Sequence, residues 1–457
     1  MTQLSCYIKY LHLFISFKSP SFNMSAVVRS SQGCVVDACS LIDQWCSPCI
    51  RFKDSQKSHV KCLFKRQCFQ VFKSYYNVNA EAAVDGGHVE VLQKTSKLSK
   101  KRKRKHSTLN QGEVDALAFH EKIRSVILEG TKSLVDSARS LGHLNGEGDP
   151  VKEPLPFHEC GLVPLCEMAK ELPLVDDEEQ GEWVQPLIAE DGRTSHVDLF
   201  SRVTENKEEC AAVVSLMGEE YVIPAHTAFL LSDFTRIQPL VHYGSRFDLI
   251  VIDPPWENKS VKRSRRYSSL PTTQLKRLPV PLLASSNSLV VTWVTNRPSH
   301  LRFVRDELYP HWGVEVVAEW FWVKVTTSGQ FVFPLDSHHK KPYEVLVLGR
   351  YRSSADNSTS SSETSAVPVE NQRLIISVPS ALHSQKPSLS EVLKPYIGAQ
   401  AKCLELFARN LQPGWTSWGN EVLKFQHTSY FTLTPSNDGE EIHQDDTPNI
   451  CTTTACC

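Results

Sequence analysis

The sequence predicts an α/β fold in which helices cover both faces of a sheet. Apolar, β-rich runs alternate with helical stretches through the second half of the chain. The β-rich runs are 247–253, 289–294, 314–325, 344–349, 374–378 and 404–407, and the helical stretches are 272–278, 298–308 and 388–396. Strands buried on both faces are apolar along their whole length, so this alternation indicates a sheet covered on both sides. A partly helical, partly disordered region is predicted to precede it.

Residues 1–110 lack sustained periodicity and are predicted to be mostly disordered. They end in a basic run at 100–105 (KKRKRK), whose adjacent cations repel one another and stay exposed. The run predicts recognition by a nuclear import receptor, or loose phosphate binding, and therefore a nuclear location. Residues 1–36 contain no acid and resemble a weak targeting segment. Two explanations remain open. The segment could direct the protein elsewhere, with the cytoplasm or the mitochondrion as the alternative location, or the protein could start at Met24, which we favour.

The region 111–220 is predicted to be a helical and linker-like accessory region. Apolar positions recur at helical spacing over 112–129, and a short helix is expected near 164–171 within an acidic, Gly- and Pro-rich stretch. Strand-like runs follow at 211–216 and 220–223. The core domain is then expected over 221–433, with a flexible Ser/Thr-rich insert at 352–367 and a disordered tail at 434–457.

Composition and charge are those of an ordinary globular protein. The 457 residues are 41% hydrophobic and 22% charged, with a net charge of −1. Any surface that binds nucleic acid must therefore be local. No apolar run approaches the roughly 18 residues that cross a bilayer, so no membrane partner is predicted.

The cysteines argue against a secreted disulfide scaffold. Of 14 cysteines, seven lie in the first 68 residues and three in the last seven. A disulfide framework would distribute its pairs through the folded core, so a reducing compartment is predicted. Cys46 and Cys49 have zinc-knuckle spacing, but no matching second pair follows. We predict free thiols and no metal, with a structural zinc as the alternative.

The tetrapeptide Asp253, Pro254, Pro255 and Trp256 directly follows the strand-like run 247–252. Ligands of open α/β sheets bind beyond the carboxyl ends of strands. Because proline has no N–H, the loop presents carbonyls and a carboxylate. Asp253 and the Pro254 carbonyl could accept both hydrogens of an exocyclic amine such as adenine N6, and Trp256 could form an aromatic wall for the base. The alternative is a turn that merely ends a strand.

This loop and two later segments, 405–409 (ELFAR) and 415–421 (WTSWGNE), resemble the eukaryotic N6-adenine methyltransferase family typified by the messenger-RNA adenosine methyltransferase. The resemblance covers about 220–430. It is strongest to one animal branch of that family, at 258–263, 293–297, 307–310, 333–336, 339–343 and 405–424. It implies a Rossmann-like methyltransferase sheet in a permuted order, with the chemistry loop before the cofactor strand. It also implies S-adenosylmethionine as cofactor and catalytic roles for the tetrapeptide.

The same resemblance implies a set of cofactor-binding residues. Asp233 and Phe234 correspond to the pair that contacts the cofactor adenine, and Lys386 to the lysine that meets its methionine carboxylate. The ribose-binding set corresponds to Arg409, Asn420 and Glu421. Glu421 stands where the messenger-RNA enzyme has glutamine, and a carboxylate also accepts two hydroxyls well.

A basic segment beside the tetrapeptide favours a nucleic-acid substrate. Its residues are Lys259, Lys262, Arg263, Arg265, Arg266 and Tyr267, and His339 lies on a second substrate-side loop. Cations and an aromatic ring suit phosphate contact and base stacking. The branch implies that the substrate is a nuclear RNA such as a small nuclear RNA, with DNA as the alternative. It also implies that the protein acts as a monomer. Two other functions remain open: a non-catalytic RNA-binding pseudo-subunit, and an amide or small-molecule N-methyltransferase. The presence of Asp253 and Trp256 favours an enzyme.

Overall fold

The computed structural model describes residues 27–53, 56–75, 109–146, 154–156, 158, 161–171, 183–189, 197–257, 270–337, 340–352 and 367–436. Within these residues the strands are β1 (Val27–Ser30), β2 (Gly33–Val36), β3 (Cys49–Lys53), β4 (Gln56–Phe64), β5 (Val184–Pro186), β6 (Val203–Asn206), β7 (Ala211–Leu216), β8 (Glu219–Ile223), β9 (Thr227–Leu230), β10 (Phe247–Ile252), β11 (Ala284–Val294), β12 (Val314–Lys324), β13 (Tyr343–Tyr351), β14 (Leu374–Ser377), β15 (Cys403–Leu406), β16 (Trp415–Trp418) and β17 (Phe431–Pro435). The helices are α1 (Ala38–Trp45), α2 (Gln111–Ser140), α3 (Leu162–Ala169), α4 (Gln238–His242), α5 (Val280–Leu283), α6 (Pro298–Phe303), α7 (Tyr309–Trp312) and α8 (Ser390–Leu393).

A twelve-stranded mixed sheet organises the molecule, in the order β1-β2-β14-β12-β13-β11-β10-β15-β16-β9-β6-β5. The central strands β11, β10, β15, β16 and β9 are parallel, and β13 runs antiparallel between β11 and β12. The carboxyl ends of the five parallel strands therefore meet at one edge, called here the carboxyl edge. The first residues of β13 reach the same edge because that strand runs the other way.

The predicted α/β fold is confirmed, and most predicted elements are present. Each β-rich run from 247 to 407 corresponds to one of the strands β10–β15. The helical stretch 298–308 continues through a π-helical segment, Val304–Leu308, into α7, and 272–278 is the 3-10 helix Thr272–Arg277. The short helix expected near 164–171 is α3. The permuted order of the methyltransferase motifs stays a prediction.

The prediction that residues 1–110 are mostly disordered is wrong for the stretch 27–75. There β1 and β2 extend the large sheet, while β3 and β4 join β7, β8 and β17 in a five-stranded sheet. These N-terminal strands are four to nine residues long, and β2 pairs with β14 and β4 with β17. β1, β2 and β3 are too short to show a clear two-residue alternation, and β2 and β4 also pair with strands far along the chain, so the sequence pattern does not show them. The basic run 100–105 lies outside the described residues.

Two other predicted boundaries also need correction. The proposed division between residues 220 and 221 falls inside β8, which pairs with β7, so the accessory region and the core domain share a sheet. The tail expected from residue 434 begins later, because β17 extends to Pro435 and pairs with β4. The insert 352–367 lies, apart from its two ends, outside the described residues.

The helix α2 is longer than its sequence pattern predicts. It begins with a capping box between Asn110 and Glu113 and runs 30 residues to Ser140. Its buried face includes Ile127 and Leu134 and packs on β2, β12 and β14. It therefore covers one face of the sheet over β2, β12 and β14.

The described cysteines are free thiols, and most of them are buried. Burial raises the pKa of the Cys34 thiol to about 12, which keeps it protonated. Within the described part of the chain, no group of His, Cys, Asp or Glu side chains is arranged to hold a metal. None of the helices described is long and apolar enough to cross a membrane.

Candidate active site

Asp253 lies at the carboxyl edge, immediately after β10, and is only 7% exposed. Its backbone N–H donates to the Leu406 carbonyl at 3.2 Å, which fixes the loop against the end of β15. Arg409 Nη1 donates to Asp253 Oδ2 at 2.6 Å. The two side chains come from loops that follow neighbouring parallel strands, as expected at this edge of an α/β sheet.

Lys386 approaches the same carboxylate from the other side. Its Nζ lies 3.9 Å from Asp253 Oδ1 and 2.5 Å from Glu344 Oε2, and the ammonium lies 5.2 Å from the ring centre of Trp293. Burial lowers the pKa of Lys386, but the carboxylates of Asp253 and Glu344 outweigh that effect and raise it. Lys386 is therefore a buried cation held between two anions.

Glu344, the second residue of β13, is the other anion that contacts Lys386. Burial raises its pKa, but Lys324 and Lys386 outweigh burial and lower the pKa to about 2. The ion pairs continue as a chain of alternating charges, called here the charge chain: Lys324, Glu344, Lys386, Asp253, Arg409, Glu421 and Lys424. Most of its members are buried or half-buried, so each charge depends on its neighbours.

Trp256 is fixed in the protein core rather than exposed on the loop. Its indole N–H donates to the Trp293 carbonyl at 2.8 Å, and one ring face stacks on His300 at a centroid distance of 4.7 Å. Burial, with help from the Arg297 charge, lowers the pKa of His300 to about 4, so this imidazole is neutral near pH 7. The backbone N–H of Trp256 donates to the Pro254 carbonyl at 2.8 Å. That oxygen keeps one further lone pair.

Three of the cofactor residues implied by the resemblance surround one small cavity beside the loop. Arg409, Asn420 and Glu421 line it together with Pro255 and Phe407. Glu421 accepts from Arg409 Nε at 3.2 Å and from Lys424 Nζ at 2.7 Å. Burial raises the Glu421 pKa, but Lys424 and Arg409 outweigh it and lower the pKa.

Asp233 and Phe234 follow β9 at the same edge. Asp233 Oδ1 accepts from the backbone N–H and the hydroxyl of Thr235, both at 2.9 Å. Phe234 stacks nearly parallel to Phe407, which has a φ of +61°. The side chains expected at the adenine end and at the ribose end of the cofactor thus lie on adjoining loops, while their roles stay predictions.

Two carboxylates near the site were missed at the level of sequence. Besides Glu344, Glu405 lies on β15 and lines a second cavity with Lys386, Asn410 and Gln412. Burial raises the pKa of Glu405 to about 7, and Gln412 Nε2 donates to it at 2.8 Å. A single acid inside an otherwise apolar strand run is the signal that could have identified both.

The predicted nucleic-acid-binding residues lie outside the described residues. These are Lys259, Lys262, Arg263, Arg265, Arg266, Tyr267 and His339. The described residues that flank the basic segment both adjoin the tetrapeptide: Glu257 follows Trp256 directly, and Leu270 N–H donates to the Pro255 carbonyl at 3.1 Å. The two described neighbours of the segment therefore both lie at the candidate catalytic loop.

Known proteins resemble this chain over the site and well beyond it. The sequence profile of the MT-A70 family matches residues 247–421. The chain is 49% identical over 389 residues to N(6)-adenine-specific methyltransferase METTL4 of Homo sapiens, covering 82% of each protein. It is 48% identical over 382 residues to METTL4 of Mus musculus, covering 81% of each. It is 35% identical over 263 residues to N6-methyladenosine RNA methyltransferase MTA1 of Pyricularia oryzae, covering 55% of this chain and 67% of that one.

Proposed function

The chain belongs to the MT-A70 family, in the branch that contains METTL4, and on that premise we propose that it methylates the N6 amine of adenine in nucleic acid. The family and branch predicted from the sequence are thereby confirmed, and the protein is a methyltransferase. The observation that carries the proposal is the placement of Asp253 at the carboxyl edge, where it is held by Arg409 and Lys386.

Asp253 has one oxygen available for the substrate amine. Arg409 occupies Oδ2, whereas Lys386 Nζ lies 3.9 Å from Oδ1, beyond hydrogen-bonding distance. Within the described residues Oδ1 accepts no hydrogen bond. Oδ1 and the second lone pair of the Pro254 carbonyl can therefore accept the two hydrogens of an exocyclic amine, which directs the nitrogen lone pair toward the methyl donor.

S-adenosylmethionine is the proposed cofactor, and it would supply a methyl group on a sulfonium that is already an activated leaving group. The donor set fits its parts. Lys386 and Glu405 line one cavity and match the carboxylate and the ammonium of a methionine moiety. Arg409, Asn420 and Glu421 line the other and can bind ribose hydroxyls, while Asp233 can accept from an adenine amine. No metal is required, because the leaving group is built into the cofactor.

The substrate class is proposed to be RNA, in particular a nuclear RNA such as a small nuclear RNA. Support comes from the basic segment between Glu257 and Leu270, because cations beside the loop can contact phosphates. The relative in Pyricularia oryzae carries an RNA methyltransferase name. We also propose that the protein acts as a monomer and that the run 100–105 directs it to the nucleus. DNA as substrate is an outcome of the test below.

The test compares wild type with Asp253→Asn on matched RNA and DNA oligonucleotides, with N6-methyladenine measured by nucleoside mass spectrometry. We expect the variant to transfer methyl groups about 10²–10³-fold more slowly, because a directed acceptor in a water-poor site is lost. Affinity for S-adenosylhomocysteine, measured by calorimetry, should stay within a few-fold of wild type.

The matched control is Asp248→Asn, at the start of the same strand, where the side chain caps the Lys402 N–H instead. Turnover of Asp253→Asn above about one per cent of wild type would exclude the proposed role. A wild-type protein that binds RNA but transfers no methyl group would favour the pseudo-subunit, and transfer to DNA alone would correct the substrate.

A further inference from the structure

The helix α3 lies outside the segment matched by the family profile, yet it packs directly on the candidate cofactor loops. Leu162 and Cys166 of α3 share an apolar cluster with Ala408, Leu411 and Val422. Those partners follow β15 and β16, the strands that position Arg409 and Asn420. Removal of this helix would therefore uncover the loops from the outside.

Three residues along α3 and at its end reach the residues assigned to the cofactor. Val163 lines the same small cavity as Asn420 and Glu421. One turn later, Cys166 Sγ lies 3.9 Å from the Asn420 carbonyl oxygen. At the end of the helix, Lys170 Nζ lies 3.2 Å from Asp233 Oδ1.

Lys170 makes two further contacts. Glu167 Oε2 accepts from its Nζ at 2.8 Å, and the Lys170 carbonyl accepts from Arg236 Nη1 at 3.2 Å. Arg236 is 6% exposed, so it anchors the end of α3 to the protein interior. Lys170 and Thr235 both contact Asp233 Oδ1. Among the described residues, Asp233 Oδ2 takes no hydrogen bond and is left to accept one from a ligand.

We propose that α3 forms the outer wall of the cofactor pocket and that Lys170 is a positioning residue, which turns Asp233 Oδ2 toward the adenine of the bound cofactor. This inference rests on the proposed function, because it uses the cofactor site assigned there. It gives the accessory region a direct part in holding S-adenosylmethionine. Burial raises the pKa of Asp233, but Thr235 and Lys170 outweigh it and lower the pKa, which keeps this acceptor ionised.

The first experiment replaces Lys170 by methionine, which keeps the aliphatic length and removes the charge. We expect the dissociation constant for S-adenosylhomocysteine, measured by calorimetry on the full chain, to rise about three- to ten-fold. A half-exposed ion pair contributes on the order of 1 kcal/mol, which corresponds to that range. KM for S-adenosylmethionine should rise by the same factor, while kcat at saturating cofactor stays within two-fold.

Two further Lys170 and Glu167 variants separate positioning from simple packing. Lys170→Arg should restore most of the affinity, because the cation can still reach Asp233. Glu167→Gln weakens the other ion pair of Lys170 and should leave cofactor affinity within two-fold of wild type. A fall in kcat and in the unfolding temperature together with affinity in Lys170→Met would indicate a structural role and overturn the proposal.

A second variant tests the wall independently of charge. Val163→Trp should fill the cavity beside Glu421 and weaken cofactor binding by more than ten-fold, whereas Val163→Ala should change it by less than three-fold. Equal affinity in Val163→Trp and wild type would show that α3 does not line the occupied pocket.

Asp233→Ala distinguishes failure of this inference from failure of the proposed function. If Asp233→Ala loses cofactor affinity and Lys170→Met keeps it, the role of Lys170 is wrong and the cofactor site stands. If Asp233→Ala also keeps its affinity, the assignment of the cofactor site is wrong.

Discussion

At the residue scale, the charge chain explains how ionised groups persist in a buried site. Asp253 lies between Arg409 and Lys386, and Glu344 lies between Lys386 and Lys324. Removal of any one member leaves a buried neighbour without its counter-charge, which costs more than the pair contributes when intact. Asp253→Asn also removes this charge, but it keeps the side-chain volume and an oxygen that can accept from Arg409, so it disturbs the site less than a truncation to alanine.

His300 gives a pH-dependent prediction at the same scale. Its folded pKa is about 4, below the value of roughly 6.5 in an unfolded chain, because burial disfavours the cation. Between these values the unfolded state binds more protons, so stability is present above pH 6.5 and is lost as pH falls toward 4. We expect His300 to account for up to about 3 kcal/mol of that loss in the free energy of unfolding.

Denaturant titrations of wild type and His300→Phe between pH 4 and 7 measure this contribution. Phenylalanine keeps a ring against Trp256 but cannot be protonated, so the variant should lose stability less steeply toward acid pH. His311→Gln, which changes an exposed side chain, is the control. Parallel curves for His300→Phe and wild type would contradict the prediction.

The sequence predicted the loop chemistry better than its charged surroundings. Asp253 and Trp256 were identifiable because the tetrapeptide is contiguous and follows an apolar run. A single acid within a β-rich run marks Glu344 and Glu405 as unusual, but both were missed because their partners are brought close only by the sheet. The contact between Lys170 and Asp233 joins positions 63 residues apart in different elements, so no local pattern marks it.

At the element scale, β13 is a buried inner strand of the large sheet. It pairs with both β11 and β12, and a register shift occurs in β12 between Val316 and Ala318, opposite Gly349. A Cβ atom at Gly349 would meet Val314 Cγ1 at 2.5 Å, the Glu315 carbonyl oxygen at 2.8 Å and Tyr309 Cε2 at 2.9 Å. The strand therefore requires glycine at this position.

We predict that Gly349→Ala lowers the free energy of unfolding by about 1–3 kcal/mol, through overpacking against Tyr309 and the β12 backbone. Tyr309 cannot yield easily, because its hydroxyl donates to the Val347 carbonyl at 2.8 Å from a fully buried position. Gly398→Ala is the matched control, since open space surrounds its Cβ position, and it should change stability by less than about 0.5 kcal/mol. Similar unfolding midpoints for the two variants would disprove the packing argument.

The element scale also shows why local periodicity gave the wrong length for α2. The predicted helical pattern ends at residue 129, just before Gly130, but the helix continues for eleven further residues to Ser140. Gly130 packs against Leu374 of β14, where a Cβ atom would lie 2.5 Å from Leu374 Cδ1. Tertiary contact with the sheet thus favours a residue that disfavours an isolated helix.

At the scale of the whole molecule, the N-terminal strands are part of the folded unit rather than an appendage. Similarity to human METTL4 covers 82% of the chain, well beyond the family segment at 247–421. In the large sheet β2 pairs with β14, and in the small sheet β3 pairs with β7. Removal of residues 27–75 would leave the edges of β14 and β7 and their apolar faces exposed.

We therefore predict that a variant beginning at Leu109 aggregates or unfolds without cooperativity, because it lacks β1–β4 and α1. A variant beginning at Met24 keeps all of these elements and should unfold at the same temperature as the full chain. Thermal unfolding and size-exclusion chromatography of the two variants measure the difference. A cooperative, monomeric variant that begins at Leu109 would show that residues 27–75 are dispensable.

The pairing of β4 with β17 has a consequence for how the protein is made. Val60 lies opposite Pro435 and Phe64 opposite Phe431, so the strand partners are separated by almost the entire chain. During synthesis β3 can pair with β7 early, but one edge of β4 stays unpaired until β17 has left the ribosome. Closing so long a loop is slow, and exposed strand edges promote self-association. We therefore predict that the nascent chain needs a holding chaperone until β17 is made, and that truncations that remove Phe431–Pro435 yield insoluble protein.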